Sequence, residues 1–246
     1  MIAIAVAVTF VLTTVLSMAG VGAAFVLIPV FLALGIELHS AMATALLLNA
    51  VAMAIASVTF IRKGLVEWRM VLPMLVIAVL ASPLGVQFSR GMNRSLLLWL
   101  FVAFLVFASL MMMFYRPKHR SMGDSMKGGL LLGLPVGAVA GFVGGLLGVG
   151  GGNIIVPALV AAGLEPKRAS ASASFVVIFA SLSGFLAHIQ VADLGPALLG
   201  ATALATASGA ALGAWLATEK LRADQLKRII ALVLLAVAIK TAWGLL

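Results

Sequence analysis

The chain contains no cysteine, only seven acidic residues, and charged residues at just 9% of its 246 positions. Without cysteine there is no disulfide, thiolate metal site, redox pair or cysteine nucleophile. Soluble domains carry about 25% charged residues. The longest charged connection, Arg116 to Lys127, is far too short to form one. The acidic residues Glu37, Glu67, Asp124, Glu165, Asp193, Glu219 and Asp224 all fall at the ends of apolar runs or between them. A mid-depth carboxylate of the kind that relays protons through membranes therefore finds no support. The polar residues offer no nucleophile–base pair, no metal-ligand cluster and no P-loop lysine, so neither an enzyme nor a cofactor is expected. No basic residue precedes the apolar start MIAIAVAVTF, which is read as mature sequence and not as a cleaved signal.

What is present is apolar. Hydrophobic residues make up 64% of the chain, and the mean hydropathy is +1.25. An all-α polytopic membrane protein is predicted, because helices satisfy their own backbone groups in lipid. The net charge of +9 comes from basic residues that flank the apolar runs. It reads as orientation against a lipid bilayer and not as nucleic-acid binding.

Six ordinary spans are expected, at about Ser40–Ile61, Met70–Ser89, Ser95–Tyr115, Ala169–Ala187, Leu194–Thr218 and Leu226–Leu246. Two further segments, Met1–Gly35 and Gly128–Gly163, are too long for one crossing: at 1.5 Å per residue the first would be about 52 Å long. Glycine interrupts both. The order recurs, with a long broken segment, a short acidic loop and three spans in each half. At an offset of 128 residues Pro29 falls on Pro157, Gly35 on Gly163, Glu37 on Glu165 and Arg94 on Arg222. The chain is read as a first membrane repeat (1–115), a cytoplasmic linker (116–127) and a second membrane repeat (128–246).

Charge selects the topology. If each broken segment turns back, one face collects Arg62, Lys63, Arg69, the four basic residues of the linker, Lys167, Arg168, Lys220, Arg222, Lys227 and Arg228. The other keeps Arg90, Arg94 and Lys240. If each broken segment crosses once, the basic residues divide evenly. The positive-inside rule favours the turned-back form, with both termini periplasmic and the halves related as inverted repeats, each a broken or re-entrant hairpin plus three transmembrane helices. His39 and His188 are placed near opposite membrane faces.

The strongest local signal is GFVGGLLGVGGGNIIVP, Gly141 to Pro157. Gly148, Gly150, Gly151 and Gly152 should stop one helix, and a new one should start at Gly152 or Asn153. The break should be buried in protein or line a cavity, and the restarted helix aims free N–H groups and a positive dipole end into that cavity, where anions bind. Gly20 and Gly22 form a weaker twin. Asn49, near the middle of its span, either donates to a ligand or ties helices together. Asn153 either caps the second helix or faces the anion. Thr44, Ser172 and Ser174 are oxyanion donors or back-bonded hydroxyls. Gly137 with Gly141, and Gly209 with Gly213, read as helix packing. Small-residue faces also make a homodimer conceivable.

The run Gly144 to Pro157 resembles the signature of the TauE/SafE family of sulfite exporters or anion permeases. The resemblance extends to Ala169–Ser174, to Ala41–Leu46 and to the duplicated layout. It implies a bacterial inner-membrane carrier of sulfite, sulfonates or related small anions. In the first half the glycine run is reduced to Gly20 and Gly22 with Ala23 and Ala24, so the two half-sites are expected to be unequal. An anion channel and a non-transporting membrane scaffold are the competing expectations.

Overall fold

The computed structural model describes residues 2–18, 22–114, 126–188, 196–219 and 223–244. Every regular element among them is helical: α1 (Ile2–Ser17), α2 (Ala24–Ala33), α3 (Leu38–Arg62), α4 (Trp68–Arg90), α5 (Arg94–Phe114), α6 (Met126–Leu147), α7 (Gly152–Ala161), α8 (Pro166–His188), α9 (Pro196–Glu219) and α10 (Ala223–Trp243). Four of the described helices contain stretches long and apolar enough to cross a membrane: Leu38–Arg62, Trp68–Arg90, Pro166–His188 and Leu199–Leu216. α5 and α10 have 21 residues each, about 31 Å at 1.5 Å per residue. α2 and α7 have only ten residues each. At about 15 Å they reach half of the hydrocarbon thickness.

Burial is inverted relative to a soluble bundle. On α4, Leu72, Val76, Leu80, Leu84 and Phe88 recur every fourth residue and are exposed, whereas Val71, Met74, Ala78 and Ser82 are buried. An apolar stripe this long on the outside is a lipid-facing surface. α3 and α8 form the centre, where 61% and 67% of their apolar stretches are buried, against 33% for α4.

Contacts at helix ends fix the directions. His39, at the start of α3, meets His188, at the end of α8, with ring centroids 5.9 Å apart. The two helices are therefore antiparallel, and the expectation that these histidines lie near opposite faces is corrected. The error was one of parity: four crossings, α3, α4, α5 and α8, lie between the two residues, and an even number returns the chain to the face it left. Arg90, at the end of α4, donates to the Ala187 carbonyl. Glu67, just before α4, pairs with Arg168 in the first turn of α8. α4 and α8 are thus parallel. Lys167 donates to the Thr218 carbonyl at 3.4 Å, which makes α9 antiparallel to α8.

Glycine seams supply the remaining directions. Gly133, Gly137, Gly141 and Gly145 of α6 lie in turn against Met70 and Pro73, Met74, Ala78 and Ser82 of α4. Gly209 and Gly213 of α9 lie against Phe10, Thr14 and Ser17 of α1. Both pairs are parallel, with backbones in direct contact, as small residues four apart permit. Gly137, Gly141, Gly209 and Gly213 are thus packing residues, and these small-residue faces are occupied within the chain. α1 starts, and α2 ends, at the His39 end of the bundle. α6 starts, and α7 ends, at the Arg168 end. Each broken segment leaves and returns at one end, and the two do so at opposite ends.

A Cβ on Gly141 would overlap the backbone of Ala78. Gly141→Val is expected to destabilise the protein by about 1–3 kcal/mol or more, the usual range for overpacking. Thermal unfolding in detergent, compared with the exposed control Gly200→Ala, measures it.

Candidate functional site

The two helix breaks meet in the middle of the bundle. After α6 the chain passes Gly148, Gly150 and Gly151 at φ +71°, +73° and +79°. This is the left-handed region, which costs residues with a Cβ about 1–2 kcal/mol each. α7 then begins at Gly152, with Asn153 in its first turn. In the first half Gly22 has φ +81° and leads into α2; Gly20 lies outside the described residues.

Asn49 of α3 stands between the breaks, fully buried. A Cβ on Gly22 would overlap its side-chain amide. A Cβ on Gly150 would lie 2.5 Å from Asn49 Nδ2 and 3.3 Å from Val177 Cγ1, and would overlap the Ser181 hydroxyl. Gly22 and Gly150 are 128 residues apart, as are Asn49 and Val177. The close approach requires glycine at both breaks. Gly148 is pressed against Met42 of α3, where a Cβ would lie 2.8 Å from Met42 Cβ.

The hydrogen-bonding groups around this point are incompletely used. Asn49 Nδ2 donates to Ser181 Oγ at 2.9 Å. Ser181 keeps its own proton to donate. Among the described residues, Asn49 Oδ1 and both polar atoms of Asn153 are buried without a partner. The N–H groups of Gly152 and Asn153, and of Ala24 and Phe25, find no acceptor there either. These are the orphan donors of two helix N-termini, α7 and α2. Unpaired polar groups cost several kcal/mol each in a membrane interior. Neutral donors (backbone N–H, amide and hydroxyl) with two helix dipoles behind them suit a small oxyanion. Among the described residues no group of His, Cys, Asp and Glu could hold a metal ion.

Two expected donors are engaged elsewhere, and a third is placed away from the break. Thr44 donates to the Ser40 carbonyl and Ser174 to the Ser170 carbonyl, each at 2.8 Å. Ser172 Oγ accepts the Glu67 N–H at 2.9 Å, tying α8 to the start of α4. Thr44→Ala and Ser174→Ala are accordingly expected to keep flux within about twofold, and stability within about 0.5 kcal/mol, since back-bonding of this kind contributes little. Paired flux and thermal-melting measurements test both. Ser181 was not among the donors expected from sequence. The signal for it was its position four residues after Val177, which falls on Asn49 at the offset of 128.

A bundle of apolar helices whose two broken segments converge on a buried polar point is a multi-pass membrane protein of the transporter class. The chain belongs to the TauE/SafE family: the family model described as Sulfite exporter TauE/SafE matches residues 5–241. It is similar to "Probable membrane transporter protein YunE" of Bacillus subtilis (strain 168), 27% identical over 203 residues that cover 72% of this chain and 74% of that protein. It is also similar to "Probable membrane transporter protein y4hK" of Sinorhizobium fredii (strain NBRC 101917 / NGR234), 26% identical over 213 residues that cover 81% of each. A shorter match, 42% identical over 64 residues, is to "Sulfite exporter TauE/SafE family protein 3" of Arabidopsis thaliana; it covers 25% of this chain and 13% of that protein. No solved structure matches the chain.

Proposed function

We propose that the protein is a secondary carrier that exports sulfite or an organosulfonate across a bacterial inner membrane. The anion binds at mid-depth, between the N-termini of α2 and α7. The N–H groups of Gly152 and Asn153, the Asn153 amide and the Ser181 hydroxyl donate to it, and Asn49 holds Ser181 in place. The observation that carries this reading is the convergence of both breaks, Gly22 and Gly150, on Asn49. The family name supports the substrate class.

The carrier works as two inverted repeats. Helix packing supports this: α4 with α6 and α9 with α1 exchange under the offset of 128, while α3 with α8 and α5 with α10 map onto themselves. Repeats related in this way let one site open alternately to either side. Arg62, Lys63, Lys167 and Arg168 face the cytoplasm, and both termini are periplasmic. Sulfite flux in proteoliposomes tests the reading. Saturable, counter-anion-stimulated flux supports a carrier; flux that rises without saturating replaces it with a channel; no flux of sulfite or any sulfonate removes it.

A further inference from the structure

The two glycine seams are equivalent under the offset of 128 but differ in polarity. On the α4–α6 seam Gly137, Gly141, Gly145 and Ala78 carry no polar side chain, and the hydroxyl of Ser82, which faces Gly145, is used up in donating to the Ala180 carbonyl at 2.9 Å. The corresponding positions around the α1–α9 seam are Thr9, Thr13, Ser17 and Thr206. All four are fully buried. Among the described residues none of their hydroxyls has a hydrogen-bond partner. Membrane-helix hydroxyls ordinarily bond back to their own helix. Thr14 does so here, donating to the Phe10 carbonyl at 2.8 Å. These four do not.

Their placement has a direction. Thr9, Thr13 and Ser17 are four residues apart and share one strip of α1, at a spacing of about 6 Å and over about 12 Å. Ser17 is the last residue of α1, next to the break; Thr9 lies toward the start of the helix, at the His39 end of the bundle. Thr206 is one turn before Gly209, whose close neighbours are Phe10 and Thr14, so the parallel register brings it level with the turn carrying Thr9. Hydroxyls at this spacing can pass a small hydrated oxyanion from one donor to the next.

Building on the proposed function, we propose that the α1–α9 seam is the outer half of the substrate path: a lane of hydroxyls that hydrates and conducts a small oxyanion between the mid-depth site and the periplasmic face. The α4–α6 seam has no such strip and is closed in this arrangement of the repeats.

The absence of cysteine makes the test direct. Single variants Thr13→Cys, Ser17→Cys and Thr206→Cys, with Ala78→Cys as the control from the closed seam, are treated in proteoliposomes with 2-sulfonatoethyl methanethiosulfonate, a small sulfonate anion. The cysteine thiolate forms a disulfide to the sulfonatoethylthio group and expels methanesulfinate, which mass spectrometry follows. Labelling of the three lane variants at least tenfold faster than the control, and slowed by saturating sulfite, is expected. Lane variants labelled no faster than the control, in protein that still carries sulfite, overturn the lane and leave the proposed function standing. Labelling that no transported anion slows also overturns it. Fast labelling that sulfonates slow, in protein that carries no sulfite, supports the lane and overturns sulfite as the substrate. Because Thr13 and Thr206 have no partner to lose, Thr13→Val with Thr206→Val is expected to melt no lower than wild type while flux falls at least fivefold. A lower melting temperature with unchanged flux makes the hydroxyls structural and overturns the lane.

Discussion

Gly150→Val is expected to abolish anion flux, and the loss to have two separable causes. At φ +73° a β-branched residue is strained whatever the space. Its Cβ would also overlap the Ser181 hydroxyl and lie 2.5 Å from Asn49 Nδ2. Strain of about 1–2 kcal/mol adds to overpacking of about 1–3 kcal/mol. Gly35 provides the comparison. It has φ +82°, and a Cβ there would meet nothing within 4 Å. Gly35→Ala therefore incurs the strain without the overlap, and is expected to lose stability but keep flux. Transport assays on both variants, matched for folded protein by size-exclusion profile, separate a site defect from a folding defect. Equal flux in Gly150→Val and wild type contradicts the assignment.

The second large effect is expected at Asn49. Asn49→Asp preserves shape. It removes the donor that holds Ser181 and places a carboxylate beside the site. A negative charge about 4 Å from the bound anion costs about 4 kcal/mol at an effective dielectric of 20, roughly a thousandfold in affinity. Flux at fixed low sulfite should fall by about that factor when the carboxyl is ionised. The sign with pH follows: protonation at lower pH removes the repulsion, so the variant should recover on acidification relative to wild type. A variant as active as wild type across the pH range would show that Asn49 only ties α3 to α8.

Much of this was legible in the sequence because membrane helices announce themselves by length and apolarity. Helices lie within a few residues of all six expected spans, four of the described ones long and apolar enough to cross a membrane, and the glycine run stops α6 and restarts α7 at Gly152. Charge counting anticipated that each broken segment turns back. The site was harder. Asn49 stood out as a lone mid-span amide, but apart from its spacing from Val177, the position equivalent to Asn49, nothing distinguished Ser181 from Ser172 or Ser174. Which hydroxyl reaches the break depends on how α8 packs against α3, and that is a tertiary fact. Thr44 looked equally suited, but its proton goes to the Ser40 carbonyl. The His39–His188 contact was missed because one miscounted crossing moves a residue by the full thickness of the bilayer.

The most direct test of the mid-depth site is anomalous diffraction from crystals grown with selenite, the heavier analogue of sulfite. A selenium peak between the N-termini of α2 and α7, within hydrogen-bonding reach of Asn153 and Ser181, is the expected result. Selenite bound only elsewhere, with that space empty in protein that transports it, would contradict the site.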